Sequence, residues 1–480
     1  MDASALSALL PELDEYLVQF ADCFSHSGTR RHLKPYVVGQ LSDLARKSVE
    51  PMALLSQVPV RTLQEFLSLH DWDDAKMRDR CQQLVATRLS GQPTIGLIDD
   101  TSSPKRGTKT PGVQRQWCGH LGKVDNCVVT VHLGITSGSF RAVLDGDVFL
   151  PEEWNEDRKR CQAAGIPDTL TYRPKWEIAL EQYDRAVKNG VRFDWLTFDE
   201  GYGQTPAFLK ALSERKQRWV AEVPKSTMGW LAPPQVIART AHRAEKAAGY
   251  EVTLGSHPDI TPTPDSHPLR RRARVRLTAD TPPMQRLDQL LEQPPLANQP
   301  WERYQMKDRQ KGPSVWEVKH ALFYPSSGDL KKPVHVLFCR HVLSRGEVKY
   351  QLSNAAEETP VTSLLHAGLT RYPVEQIFRE EKSQLGLDHY EGRTYGGLMR
   401  HLRLTCVSYL FLMQAMMARR GEKTRVDGTP SASGDQLSTL RQVAPRSRFL
   451  RPAQTNRHHS ELPAKTQRRR PCLAHETYHP

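Results

Sequence analysis

The sequence predicts an α/β protein: a mixed sheet flanked by helices, preceded by a helical segment and carrying a β-rich insertion. Three observations carry that expectation. Apolar residues recur at three- and four-residue steps through residues 1 to about 90. From Pro93 onward, short apolar runs of strand length take over, with one amphipathic helix among them. Beyond residue 225 comes a long Pro-rich stretch of weak period, and three further strand candidates follow it.

The helical segment is read from Leu6, Leu9-Leu10, Leu13 and Leu17, then Val37-Val38, Leu41 and Leu44. Pro51 opens a further helix, and Asp71-Trp72-Asp73-Asp74 caps one that holds Met77, Cys81, Leu84 and Val85. Arg30, Arg31, Lys34, Arg46 and Lys47 make this part basic. Two readings stay open for residues 1–90, a DNA-end-binding domain or a helical cap on the core.

The first strand, Thr94 to Ile98, ends at Asp99. A Gly-, Ser-, Pro- and Lys-rich loop is expected from Thr101 to Gly122. Cys127 to Leu133 and Phe140 to Leu144 are the next strands, joined by a turn at Ser137-Gly138. Pro174 to Asn189 has helical periodicity and closes at Gly190. A fourth strand, Trp195 to Phe198, ends at Asp199. The order β-β-β-α-β needs the fourth strand to enter parallel to the first, with the helix as crossover. That layout is ribonuclease H-like, and it brings Asp99 and Asp199 to one sheet edge.

Residues 225 to about 355 are read as the β-rich insertion, with strands at Trp316–Phe323, Val334–Cys339 and Val348–Leu352 and a basic run from Arg270 to Arg276. Helices resume at Pro360 and run through Glu375, then from Tyr395 to Arg419. The catalytic domain is thus expected to span 91–420. Residues 421–480 hold eleven Lys and Arg against five acids and few large apolar residues, the composition of a disordered tail.

With 67 Lys and Arg against 54 Asp and Glu, the chain carries a net charge of +13. That balance favours a polyanionic partner, nucleic acid first. Mean hydropathy is −0.58. No apolar run reaches the roughly 20 residues that span a bilayer. The start, Met1-Asp2-Ala3-Ser4, does not read as a signal peptide. The eight cysteines form no C-x-x-C pair, so neither a zinc site nor a disulfide framework is expected. These readings place the protein in the cytoplasm, associated with the nucleoid when bound to DNA.

Three carboxylates carry the chemistry. Phosphodiester cleavage is served by two divalent ions about 3.5–4 Å apart that activate the attacking oxygen and stabilise the leaving one. Such ions prefer hard oxygen ligands and keep several waters, so a few carboxylates suffice. Asp99 and Asp199 end strands. Glu375 is chosen over Glu380 and Glu381, which read as solvated helix charges. Helical spacing puts Arg371, Glu375, Arg379 and Lys382 on one face. Those cations would hold the DNA backbone beside the acids, or simply pair with Glu375.

Three blocks carry a family resemblance. The first is Ile98-Asp99-Asp100-Thr101, Pro104-Lys105-Arg106-Gly107, Gly112-Val113-Gln114-Arg115-Gln116-Trp117 and Gly119-His120-Leu121-Gly122-Lys123. The second is Asp199-Glu200-Gly201-Tyr202-Gly203. The third is Arg371 to Lys382, continuing through Leu385-Gly386-Leu387-Asp388-His389-Tyr390. The chain resembles bacterial insertion-sequence transposases of the DDE superfamily, in the branch with a Tyr-Arg-Glu-Lys signature, over roughly residues 20–415.

The resemblance implies a metal-binding and catalytic triad of Asp99, Asp199 and Glu375, with Asp100 in reserve for Asp99. Arg371 and Lys382 match the signature's Arg and Lys. Together with Lys105 and Arg379 they are expected to support the site and contact DNA. The signature's Tyr falls on Gly368. Two Mg²⁺, with Mn²⁺ able to substitute, are the implied cofactors. The implied partners are the element's terminal inverted repeats, target DNA and a second copy of the chain in a synaptic homodimer. The rival readings are a relative that only binds DNA and a cellular nuclease on the same fold.

Overall fold

A computed structural model describes residues 3–239, 274–309, 312–327, 329–426 and 441–442. Arg270 to Arg272 and nearly all of the expected basic tail lie outside the described residues.

Strand formation follows the apolar runs. β1 (Ile95–Pro104), β2 (Gln114–Cys118), β3 (Lys123–Ser137) and β4 (Phe140–Val148) come first, then β5 (Trp195–Phe198) and β6 (Trp219–Val223). β3 pairs antiparallel with β1, β2 and β4. The helix Lys175–Lys188 crosses from β4 to β5, and β5 pairs parallel with β1 on one side and with β6 on the other. Crossovers to a parallel neighbour are what a buried central strand requires. β5 is buried at all four residues.

The expected loop from Thr101 to Gly122 is partly sheet. β1 runs on to Pro104, paired with Cys127, and β2 forms inside the Gly-rich stretch. The polar alternation of β2 hid it, because one face of that strand points to solvent.

Eight strands follow among the described residues before the C-terminal helices: β7 (Met228–Trp230), β8 (Val236–Arg239), β9 (Arg274–Leu277), β10 (Gln285–Arg286), β11 (Glu302–Arg309), β12 (Gly312–Pro325), β13 (Val334–His341) and β14 (Ser344–Ser353). β8 and β9 pair as a separate ribbon. β12, β13 and β14 form an antiparallel meander whose last strand pairs with β6, so these strands extend the same sheet. The result is a mixed, mostly antiparallel open sheet flanked by helices.

One apolar cluster runs from Leu6 in the N-terminal helices, through the sheet, to Ala415. The N-terminal helices pack on the long helix Tyr395–Val426. The Tyr16 hydroxyl donates to Val407 O at 2.9 Å, Gln40 Nε2 donates to Thr405 Oγ1 at 2.9 Å, and the Tyr36 hydroxyl lies 2.7 Å from His401 Nδ1. Cys23, Cys81, Cys118, Cys127, Cys161, Cys339 and Cys406 are buried free thiols. Among the described residues no helix is long and apolar enough to cross a membrane.

Candidate active site

Register decides which acids meet. Ile95 to Ile98 pair with Trp195 to Phe198, so Asp99 and Asp199 are each the next residue on adjacent parallel strands. The following β-pleat sends Asp99 and Asp100 to opposite faces. Asp99 Oδ2 lies 3.9 Å from Arg371 Nη1, whereas Asp100 Oδ2 is 2.8 Å from the Lys175 ammonium at the start of the crossover helix. Asp99 therefore faces the C-terminal helices and Asp100 does not.

Asp199 opens the turn that follows β5. Its Oδ1 accepts from Tyr202 N at 3.3 Å, and its carbonyl accepts from Gly203 N at 2.8 Å. Gly203 sits hard against β6: a Cβ there would meet Glu222 O at 2.0 Å. That contact rules out a side chain and holds the turn, and Asp199 with it, on the sheet.

The third acid comes from the helix Tyr372–Glu380, where Pro373 sits in the first turn and suits a helix start. Glu375 stands one turn after Arg371, and Arg371 reaches all three carboxylates. Its Nη1 is 3.7 Å from Asp199 Oδ2 and its Nη2 is 3.7 Å from Glu375 Oε1. These are ion-pair separations rather than hydrogen bonds. The side chain of Asp99 is 15% exposed and that of Glu375 is 53% exposed, so the site grades from a buried floor to a wet rim.

Burial pushes the Asp99 carboxyl up to about 7, against the pull of Arg371 and with a further push from Asp199. Burial likewise raises Asp199, again opposed by Arg371. One guanidinium thus only partly compensates the mostly covered Asp99 and the half-exposed Asp199. Arg371 Nη1 and the Tyr202 hydroxyl are both buried and have no hydrogen-bond partner among the described residues. Tyr202 stands in the sequence only as one residue of the second family block, with no role of its own. Its phenol is held in the neutral form by burial beside Asp100, Asp99 and Asp199.

The donor set fits a hard divalent cation: carboxylate oxygens, uncompensated negative charge and unsatisfied polar atoms around them. Among the described residues no three His, Cys, Asp or Glu side chains are grouped closely enough to hold an ion, and the Arg371 guanidinium lies between these three. Ion binding therefore requires the carboxylates to close in and the guanidinium to yield.

The other expected cations are placed differently. Lys382 does not extend the Arg371–Glu375 face, because a π-helical turn, Glu381–Leu385, interrupts the helix there. Its ammonium donates to Ser102 O on β1 at 2.9 Å. Lys105 donates to the carbonyls of Asp388 (2.8 Å) and Tyr390 (2.6 Å), and burial lowers its pKa to about 8. Both are internal ties. Arg379 is exposed.

Glu380 and Glu381 are not solvated charges. Glu380 accepts from Arg141 at 3.1 Å and from the Tyr409 hydroxyl at 2.7 Å, and Glu381 is fully buried. Gly368 also finds its reason: a Cβ there would meet Gln351 Oε1 at 2.4 Å and Val220 Cγ1 at 2.8 Å. The helix Val361–Leu369 lies too close to β6 and β14 for any tyrosine.

The family model described as "DDE superfamily endonuclease" matches residues 19–282, which include Asp99 and Asp199. The chain belongs to the DDE superfamily of endonucleases. A curated relative, "Probable transposase for insertion sequence element IS701" of Microchaete diplosiphon, is 30% identical over 228 residues. That match covers 47% of this chain and 57% of the relative, so the chain spans little more than half of the relative's length. The NurA nuclease of Sulfolobus solfataricus aligns over 74% of this chain and 93% of its own at 10% identity, with a TM-score of 0.23, too low to relate the two folds.

Proposed function

We propose that this DDE superfamily member is a transposase that cuts DNA at the inverted-repeat ends of its own element and joins the freed 3′-OH ends to target DNA. The observation that carries the reading is the convergence of Asp99, Asp199 and Glu375 on Arg371, with two acids on adjacent parallel strands and the third on a helix above them. We read the core of β1, β3, β4 and β5 as ribonuclease H-like, with 1–90, 91–420 and 421–480 as successive domains and the strands of about 225–355 as an insertion.

Asp99, Asp199 and Glu375 would hold two divalent ions, Mg²⁺ in the cell with Mn²⁺ able to substitute. When bound, such ions supply Lewis-acid charge at the reacting phosphodiester. Asp99 forms the floor and the half-exposed Asp199 stands beside it, together fixing the ligand oxygens. Glu375, on the exposed rim, is placed to complete the set from the substrate side. Arg371 supplies positive charge next to the scissile phosphate and keeps the acids together before the substrate arrives. Exposed Arg379 is available to a DNA phosphate. Lys105 and Lys382 support the site through backbone ties.

Holding two element ends for joining implies a homodimer on DNA, acting in the cytoplasm and at the nucleoid. For end recognition we propose exposed Arg30 and Arg31 on the N-terminal helices. Lys34 is paired with Asp14, Arg46 with Glu391, and Lys47 is buried on the carbonyls of Gln40, Ser42 and Gln384. Because these helices share the core, Arg30→Ala with Arg31→Ala tests end binding better than deletion does.

The decisive assay is strand cleavage and joining of a labelled element end in Mg²⁺ or Mn²⁺. Loss of both steps in Asp99→Asn, Asp199→Ala and Glu375→Gln supports the reading. Cleavage at the wild-type rate by any of them overturns the assignment of that residue. DNA binding without cleavage by the wild-type chain, in either metal, overturns the transposase reading.

A further inference from the structure

The hairpin formed by β2 and the start of β3 plays no part in the chemistry above. It presents an apolar face to solvent: Trp117 is 64% exposed, Val124 53% and Leu121, at the turn, 43%. Trp117 and Val124 are register partners, so they project from the same face, and Arg115 lies two residues away on that face. Singly exposed apolar residues are ordinary, but an aromatic-led cluster on one hairpin is a contact surface.

The hairpin is held rigidly. Beneath it, Cys118, Cys127 and Val129 form a small core of their own. At its tip, Leu121 N and Gly122 N both donate to Cys118 O, and Gly122 takes a φ of +63°. His120 N donates to Ser102 Oγ at 3.1 Å, while Ser102 O accepts from Lys382 at 2.9 Å. One β1 residue thus fastens the hairpin tip to the strand of Asp99 and to the chain that continues the helix of Glu375. Ser102 is three residues beyond Asp99, about 10 Å at the rise of a strand.

Charge selects the occupant. Arg106, Lys109 and Arg115 are exposed and make no ion pair among the described residues. Asp125, the acid at the hairpin's base, is already paired with Lys123 at 3.1 Å. A flat aromatic with Arg115 on its own face, on a hairpin preceded by the exposed Arg106 and Lys109, suits a strand whose bases stack while its phosphates are held.

Resting on the transposase reading, we propose that Trp117 is a stacking platform for an unpaired base of the DNA strand that enters the Asp99–Asp199–Glu375 site. Arg106, Lys109 and Arg115 hold the phosphates on either side. This surface recognises a strand end opened from the duplex, with any base accepted at the stacked position.

The test uses the full chain without added metal and two probes, a short blunt duplex and the same duplex with an unpaired 3′ end carrying 2-aminopurine. Wild type binds the unpaired end more tightly and quenches its fluorescence. Trp117→Ala weakens binding of that probe about tenfold and abolishes the quenching, with little change on the blunt duplex. Trp117→Phe restores most of both. Equal binding and quenching by wild type and Trp117→Ala overturns the proposal. So does a Trp117→Ala chain that changes its oligomeric state in sedimentation while its DNA binding is unaltered, which makes the hairpin a protein interface. If the wild-type chain binds neither probe, it is the transposase reading that falls. Tight binding of both probes that is insensitive to Trp117→Ala removes the stacking role and leaves the transposase reading standing.

Discussion

Arg371 Nη1 stands 3.9 Å from Asp99 Oδ2, buried and without a hydrogen-bond partner among the described residues. It serves Asp99 as a counter-charge, and a divalent ion would occupy the same negative field. In Arg371→Ala, Asp99 and Asp199 lose that charge. The variant should melt lower than wild type in EDTA and gain more from added Mn²⁺. Thermal scans with and without the ion measure both. An identical Mn²⁺ shift in the two proteins would show that the guanidinium and the ion do not compete.

The acids themselves should illustrate a trade between activity and stability. Asp99→Asn replaces a carboxylate whose ionisation burial resists with a neutral isostere. Its melting temperature in EDTA should equal or exceed that of wild type, while strand cleavage falls by about a hundredfold or more. A variant that loses activity only because it unfolds fails this prediction.

Behind the site, Arg403 on the long helix is buried against β4. It donates to Gly146 O at 2.8 Å, to Asp147 Oδ1 at 3.3 Å and to Asp145 Oδ1, and Arg185 from the crossover helix reaches Asp145 Oδ2 at 2.8 Å. Removing one cation leaves buried carboxylate charge under-compensated. Arg403→Ala should cost about 3–5 kcal/mol in urea unfolding. A loss below about 1 kcal/mol would mean that Arg185 or water replaces it.

Glu381 provides a pH signature. Burial pushes its carboxyl from 4.5 to about 8, and neither oxygen has a hydrogen-bond partner among the described residues. Between those values the folded chain keeps a proton that the unfolded chain releases. Its contribution to stability is therefore complete below about 4.5 and is lost progressively as the pH rises to about 8. Glu381→Gln has no such titration, so its stability relative to wild type should increase across that interval. Calorimetry of both proteins across the interval checks it, and a constant difference contradicts it.

Much of the site was legible locally. Asp99 and Asp199 stand where apolar runs of strand length stop, and Arg371 and Glu375 are one helical turn apart. These follow from periodicity, which neighbouring residues dictate. The sequence did not show how Lys382, Lys105 and Lys47 are engaged. Their ammonium groups are buried by carbonyls from segments far away in the chain, and helical spacing says nothing of such partners. The π-helical turn at Glu381–Leu385 broke the face that regular spacing had drawn.

By itself, the sequence determined the strand and helix runs, the basic balance and the three acids with their family resemblance. These depend on residue type and local period. Only the tertiary structure decided that Asp99 turns toward Arg371 while Asp100 pairs with Lys175, since the register of β1 on β3 and β5 sets which face each residue occupies. It also decided that Gly368 leaves no room for a tyrosine, because the backbone of its helix approaches Val220 and Gln351 too closely for a Cβ. Face and clearance are relations between distant segments, and packing alone settles them.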